Sequence, residues 1–316
     1  MDDPKPKILI AGATGFIGKA LTQRLSPHYQ IIALSRNAEN AQRLLGPKVK
    51  AVHWNAKSPQ SWAHHANDAF AIINLAGQNI AASRWTKAAK NTILQSRLDA
   101  ARAVADVLKL VDRKPKVVIQ ASAIGYYGPR GYEKLYEDAP PGDGFLPEVC
   151  RQVEQTTSQI TELGVRLIIL RTGVVLGPDR GALPRFAAPF RFYLGGYAGS
   201  PNQWLSWISQ TDQSAAIQFL LEHQALSGPF NLTSPNPVTI KDFSKTLGKA
   251  LQKPAWTRMP SLAVRLIFGQ MGTEVVLCSQ RVLPKRLLEA GFEFEHIDVG
   301  TVLRDIYNRK DYHEPR

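Results

Sequence analysis

Three glycines, Gly12, Gly15 and Gly18, follow the apolar run Lys7–Ala11 at three-residue intervals. Glycine there permits a tight turn, a close approach of backbone to a pyrophosphate, and close packing of a helix on a strand. With Thr14, Phe16 and Ile17 between and beside them, these residues form a loop that presents a helix N-terminus to a dinucleotide. The next apolar run, Gln30–Ser35, ends in Ser35-Arg36-Asn37, and no carboxylate comes before Glu39. Sheets that bind NAD carry an Asp or Glu at this point, about 20 residues past the loop, to accept from the ribose 2′-hydroxyl. A guanidinium instead grips a 2′-phosphate in fork geometry and stacks on adenine. Ser35 and Arg36 therefore predict NADP(H). Leu75, Ala76 and Gly77, after Asn74, are small enough at a strand end for a cofactor to lie across the sheet's carboxyl edge.

Arg84 and Trp85 follow that strand end by a short loop, and Arg97 sits on the next helix. Loops at the carboxyl edge of a parallel sheet line the ligand crevice. Arginines there suit an anionic small molecule such as a nucleotide sugar, a carboxylate or a phosphate. His53, His64, His65 and His223 have no metal-ligand spacing, so no metal is expected.

The elements that must position these groups alternate. Strands are expected at Lys7–Ala11, Gln30–Ser35, Val49–His53, Ala69–Leu75, Val117–Ala121 and Val165–Leu170. Helices are expected at Lys19–Leu25, Asn40–Leu45, Lys87–Leu110 and Glu148–Leu163. The strands are nearly continuous Ile, Val, Leu and Ala, the pattern of a parallel sheet covered on both faces. The fold class is therefore α/β, a Rossmann-type doubly wound parallel sheet over residues 1–177. Beyond Gly177, Gly and Pro become frequent and the strand-like pieces, Trp204–Ile208 and Pro229–Thr233, are short. Helices at Asp212–Glu222, Ile240–Leu251 and Ser261–Phe268 complete a smaller mixed lobe over 178–316 that closes a cleft, ending in a polar tail from Tyr307.

The 316 residues carry 44% hydrophobic and 21% charged side chains, enough apolar material for a core and too little charge for global disorder. Net charge is +13, which favours acidic partners: a phosphorylated cofactor, nucleic acid or an anionic membrane surface. No run interleaves Lys/Arg with aromatics, so no nucleic-acid partner is expected. No apolar run is long enough to span a bilayer, and the polar start lacks a signal peptide's apolar core, so the expected location is the cytoplasm. Cys150 and Cys278 have neither disulfide nor metal spacing.

Taken together, these residues resemble the short-chain dehydrogenase/reductase superfamily in its extended, epimerase-like branch. Ser122-Ala123-Ile124-Gly125-Tyr126-Tyr127-Gly128 looks like that branch's serine-containing loop. Arg171-Thr172-Gly173-Val174-Val175-Leu176-Gly177-Pro178 looks like its segment near nicotinamide and substrate. A closer resemblance, over nearly the whole chain, is to the atypical epimerase family protein subgroup. It adds Ser96-Arg97, Gly228-Pro229-Phe230-Asn231 and the C-terminal stretch Gln280–Leu287 continued by Glu289-Ala290-Gly291-Phe292. That subgroup also contains members linked to cell or organelle division.

The resemblance implies a Tyr-x-x-x-Lys pair, in which the Lys lowers the Tyr pKa so that the phenol serves as acid or base. With Glu154 as the anchor that follows this motif, Leu146 stands at the Tyr position and Cys150 at the Lys position. Neither can do the work. Ser122 is then the candidate to hydrogen-bond a substrate carbonyl or hydroxyl, with Tyr127 as substitute acid and Tyr126 and Arg171 at the substrate. Two readings follow. One is an NADP(H)-dependent oxidoreductase or epimerase acting on a small, anionic or sugar-nucleotide-like substrate. The other is a non-catalytic NADPH-binding regulator, linked to cell division.

Overall fold

Seven strands pair edge to edge in a computed structural model that describes residues 4–178 and 180–308. They are β1 (Lys7–Ala11), β2 (Gln30–Ser35), β3 (Val49–His53), β4 (Ala71–Asn74), β5 (Val117–Ala123), β6 (Arg166–Thr172) and β7 (Gly228–Leu232). Their order across the sheet is β3-β2-β1-β4-β5-β6-β7. β1 runs parallel to both β2 and β4, with Ile8 opposite Ile31 on one side and Ala71 on the other. The strand order reverses at β1, and in such sheets the ligand crevice opens at that point, beyond the carboxyl ends.

Burial explains why these segments are strands. Ile8, Leu9, Ile10 and Ala11 are all fully buried, as only a central strand covered on both faces allows. The cover comes from α1 (Phe16–Leu25), α2 (Ala38–Leu45), α3 (Lys87–Leu110) and α4 (Phe145–Glu162). α3 starts where the Thr86 hydroxyl accepts from the Ala89 N–H at 3.1 Å. Its Ala100, Ala103, Val104, Val107 and Leu108 join Leu9, Ile72 and Val118 of the sheet in one apolar core. α2 begins two residues earlier than periodicity suggested, because the Asn37 side chain caps it by accepting from Asn40 N–H at 2.9 Å.

The chain sorts into two compact units, and no single boundary near residue 177 separates them. Unit 1 takes residues up to Ala123, then Glu148–Arg171 and Ser214–Phe230; unit 2 takes Ile124–Pro147, Thr172–Gln213 and Asn231 onward. The expected C-terminal assignment therefore needs correction in two places. Pro229–Thr233 lies not in a small lobe but mostly in β7, beside β6 in the large sheet. The helix before it, α6 (Gln210–Glu222), contributes most of its length to unit 1. These two segments extend the parallel sheet by one helix and one strand.

Within unit 2, the expected strand Trp204–Ile208 is broken in two. Trp204–Leu205 pairs antiparallel with Val238–Thr239, and Trp207–Ser209 pairs parallel with Val174–Leu176. The break falls at Ser206, whose hydroxyl donates to the Gln280 carbonyl at 2.8 Å and accepts from Val282 N–H at 2.8 Å. A core of its own forms from Leu183, Phe190, Trp207, Phe243, Leu247 and Leu303. It is carried by α5 (Leu183–Arg191), α7 (Ile240–Leu251) and α9 (Val299–Tyr307), while α8 (Ser261–Met271) lies between the last two in sequence. Periodicity did not reveal α5, in which Pro184 and Pro189 interrupt the pattern, or the nine-residue α9. Among the described residues no helix is long and apolar enough to cross a membrane. Most of the expected polar tail, 309–316, lies outside the described residues, as do residues 1–3 at the start.

Candidate functional site

The turn between β1 and α1 is built from contacts that only glycine permits. Gly12 has φ +81°, and a Cβ there would stand 2.9 Å from the Leu75 carbonyl carbon and oxygen. A Cβ on Gly18 would lie 2.2 Å from the Gly12 carbonyl oxygen, so helix and turn touch through bare backbone. The Gly15 N–H closes the turn onto the Gly12 carbonyl at 3.0 Å. Gly15 is the N-cap of α1, and no side chain caps the helix start. A helix end with its amides directed outward and no capping side chain suits a pyrophosphate. Thr14, Phe16 and Ile17 complete this cradle, all partly buried.

The floor of the cradle is fixed from β4. Leu75 N–H donates to the Ala11 carbonyl at 2.9 Å. Asn74, fully buried, donates to Gln120 Oε1 at 2.9 Å and accepts from Ala76 N–H at 3.2 Å. Behind Gly77 lies Arg97, whose Nη1 donates to the carbonyls of Gln78 at 2.9 Å and Ile93 at 3.0 Å. Ser96 Oγ accepts from Gln78 N–H at 3.0 Å. Arg97, expected at the substrate, is thus in this structure a clamp on the Leu75–Gly77 loop. Trp85 donates from its indole to the Ile80 carbonyl at 2.7 Å, and Arg84 is exposed beside it.

At the end of β2 the Ser35 hydroxyl is engaged locally, donating to the Asn37 carbonyl at 3.0 Å and accepting from Asn37 N–H at 3.2 Å. Arg36 is exposed, and no side-chain hydrogen bond or ion pair to it occurs among the described residues.

A second cluster occupies the β5 and β6 ends of the same unit. Ser122 Oγ donates to Glu154 Oε1 at 2.7 Å. Arg171 reaches the same carboxylate with Nε at 3.1 Å and Nη2 at 2.8 Å. The ion pair is nearly dry, with 5% of the Arg171 side chain and 12% of that of Glu154 exposed. A buried pair of this kind holds only if each charge stays matched. Because the hydroxyl proton of Ser122 goes to Glu154, its oxygen lone pairs remain as acceptors toward any ligand. Cys150, one turn before Glu154, is buried with Sγ 3.7 Å from the Ala123 carbonyl. Burial pushes its thiol up to about 11, with the Glu154 charge adding to the shift. It is a neutral, inert filler at the position where the family pattern has a Lys.

Unit 2 contains the two tyrosines of the serine loop. Tyr127 is 0% exposed, and its phenol donates to Asn231 Oδ1 at 2.7 Å. Asn231 is itself anchored by donating to the Leu283 carbonyl at 3.0 Å. The expectation of Tyr127 as an acid is corrected on this ground: its proton is spent in a buried structural bond. Tyr126 is half-buried and packs edge-on against Tyr127, ring centroids 5.3 Å apart. Gln280 secures the same loop by donating to the Ile124 and Gly128 carbonyls at 2.8 and 2.9 Å. The start of α4 is capped by Glu274, which accepts from Phe145 and Leu146 N–H at 3.1 and 2.9 Å. A cavity of about 500 Å³ inside unit 2 is lined by Ser209, Gln210, Thr211, His296 and Asp305 among others, and by none of the cofactor-site candidates. Among the described residues no cluster of His, Cys, Asp or Glu could hold a metal ion.

Sequence reasoning missed what Glu154 and Asn74 do. Both were legible as motif members, but only the fold shows one gripping Ser122 and the other tying β4 to β5.

The model of the NAD dependent epimerase/dehydratase family matches residues 8–232, and a domain of unknown function, DUF1731, matches 259–306. An epimerase family protein of Mycobacterium bovis is 37% identical over 298 residues, covering 94% of this chain and 96% of the relative. One from Staphylococcus aureus is 37% identical over 308 residues, covering 95% and 99%. The solved human epimerase family protein SDR39U1, with NADPH, superposes with a TM-score of 0.86 at 30% identity, over 96% of this chain and 99% of that one. UDP-glucuronic acid 4-epimerase from Bacillus cereus, solved with UDP-glucuronic acid and NAD, shares the fold alone, at TM-score 0.77 and 18% identity over 96% and 98% of the two chains.

Proposed function

The chain belongs to the NAD-dependent epimerase/dehydratase family, and from that premise we propose that it is a cytoplasmic NADP(H)-dependent oxidoreductase or epimerase acting on a small anionic, sugar-nucleotide-like substrate. The observation that carries this reading is the pairing of a side-chain-free helix N-terminus at Gly15 with an exposed, unmatched Arg36 at the end of β2. The human relative solved with NADPH supports it.

In this reading Gly12, Thr14, Gly15, Phe16, Ile17 and Gly18 hold the pyrophosphate through backbone N–H groups and the helix dipole. Arg36 meets the 2′-phosphate, with Ser35 fixing the turn that presents it. Leu75, Ala76 and Gly77 form the floor beneath the ribose and nicotinamide. The nicotinamide supplies hydride transfer at C4 when bound. Ser122 accepts a hydrogen bond from a substrate hydroxyl, oriented by Glu154 and Arg171. Arg84 and Trp85 serve the anionic part of the substrate. Arg171 and Arg97 act through what they hold rather than by touching it.

The test is turnover. The protein with NADP⁺ or NADPH is incubated with UDP-glucose and UDP-glucuronic acid, and epimer formation is followed by NMR and nicotinamide absorbance at the same time. The reading expects conversion of at least one substrate, lost in Ser122→Ala. Equal rates in Ser122→Ala and wild type would remove Ser122 from the chemistry. Tight NADPH binding without conversion of any acidic sugar nucleotide would favour the regulatory reading.

A further inference from the structure

Unit 2 sets two stretches of purely positive charge beside exposed apolar side chains. From Arg180 to Thr211, and again from Phe243 to Thr273, the chain contains no Asp or Glu. Those two stretches hold Arg191, Arg258 and Arg265, all exposed, and none pairs with a carboxylate among the described residues. The same stretches contain Phe192, Tyr193 and Leu194 at the end of α5, Trp256 and Met259, and Leu262 and Ile267 on α8, all counted among the exposed large apolar residues. Trp256 is 74% exposed and Leu262 69%.

The two stretches form one face. The Trp256 indole donates to the Tyr193 carbonyl at 2.8 Å, and the Lys253 ammonium sits 4.0 Å from the Tyr193 ring centroid. Gly196–Ala198 pairs in parallel with Thr257–Met259, setting Arg258 opposite Tyr197. α8 starts two residues after that strand and buries only Val264 among its apolar side chains. A run of exposed apolar side chains this large, rimmed by one sign of charge, marks an interaction surface.

The charge decides the partner. A second copy docking face to face would set these cations against their own kind, which isologous interfaces avoid. Trp and Tyr beside basic residues and a short helix with exposed Leu and Ile match the headgroup boundary of an anionic bilayer, where rings sit half-wet and long cations reach phosphates. We propose that this face of unit 2 docks the protein on membranes rich in anionic phospholipid. Trp256, Tyr193 and Leu262 enter the headgroup–acyl boundary, and Arg258 and Arg265 meet lipid phosphates. Among the described residues no helix is long and apolar enough to span the bilayer, and the glycine-loop site takes no part.

The test is co-sedimentation of the full chain with vesicles of phosphatidylcholine alone and of equal parts phosphatidylcholine and phosphatidylglycerol, with tryptophan emission recorded in parallel. Binding should rise about tenfold or more with the anionic lipid, weaken with salt, and shift emission to the blue. Trp256→Phe should keep most of the binding and lose most of the shift. Leu262→Asp and Arg258→Glu should each weaken binding about tenfold, with unchanged melting curves because both sites are exposed. Leu110→Asp, at an exposed leucine of α3, should change nothing. Equal binding to both vesicle types, or none, would overturn the proposal. Binding to poly-glutamate with no blue shift on vesicles would assign the face to an acidic protein instead. Self-association abolished by Leu262→Asp would assign it to a second copy, again against the proposal.

Discussion

At the β1 end of the sheet's carboxyl edge the working groups are main chain, whereas at the β5–β6 end they are three side chains, Ser122 and Glu154 partly buried and Arg171 fully so. The first end depends on what is missing: a Cβ at Gly12 and Gly18, and a capping side chain at the start of α1. The second depends on a complete set, since Ser122, Glu154 and Arg171 satisfy one another in a nearly dry space. A backbone site is damaged by adding atoms; a buried polar site is damaged by removing them. The two ends should therefore fail differently, one in ligand binding and the other in folding.

The largest effect should come from Arg171→Ala. It leaves the Glu154 carboxylate buried with only Ser122, and breaking such a pair costs about 3–5 kcal/mol. Urea unfolding measures it. Replacing Arg171 and Glu154 together by Met and Leu should recover much of that loss, and a double variant as unstable as the single one would mean the pair is not the cause. Gly18→Ala comes next. Its Cβ would strike the Gly12 carbonyl oxygen, and overpacking of this kind costs about 1–3 kcal/mol. Because the collision moves the phosphate-binding turn itself, dinucleotide affinity measured by calorimetry should fall further than stability does. Ser122→Ala should cost only about 1 kcal/mol of stability, because Glu154 keeps both bonds from Arg171. A loss as large as that of Arg171→Ala would show that Ser122, not the ion pair, holds this end together.

The smallest effect concerns Cys150. Its thiol is raised from the ordinary 9.0 to about 11, chiefly by burial. The unfolded chain therefore gives up this proton first, so the contribution is fully present below pH 9.0 and lost as pH rises through about 11. Cys150→Ala should flatten the fall in melting temperature over that window. Rapid alkylation of Cys150 by iodoacetamide at neutral pH would contradict the buried, neutral thiol.

The same contrast explains what the sequence alone could reveal. The glycine cradle was legible because its requirements are local: three glycines, one strand before and one helix after. The parallel sheet was legible through β6 because continuous Ile and Val runs have one common explanation. β7 was not assigned to that sheet, since Gly228-Pro229-Phe230-Asn231-Leu232 is short and opens on two turn-forming residues. The Ser122–Glu154–Arg171 cluster could not be read from spacing, because its members lie 32 and 17 residues apart on a strand, a helix and another strand. Tyr127 misled for a related reason. Its place in the serine loop suggested a substitute acid, while the residue that accepts its hydrogen bond, Asn231, lies 104 positions away.

The most direct test of the central claim is a fluorescence titration of the purified protein with NADPH and NADH, repeated with Arg36→Ala. A charge-assisted hydrogen bond is worth about 1.5–3 kcal/mol, so NADPH affinity should fall roughly ten- to hundredfold in the variant. NADH should bind more weakly than NADPH to the wild type and be unaffected by the substitution. Equal affinity of the wild type for both cofactors, or an Arg36→Ala variant that binds NADPH as well as the parent, would contradict the account.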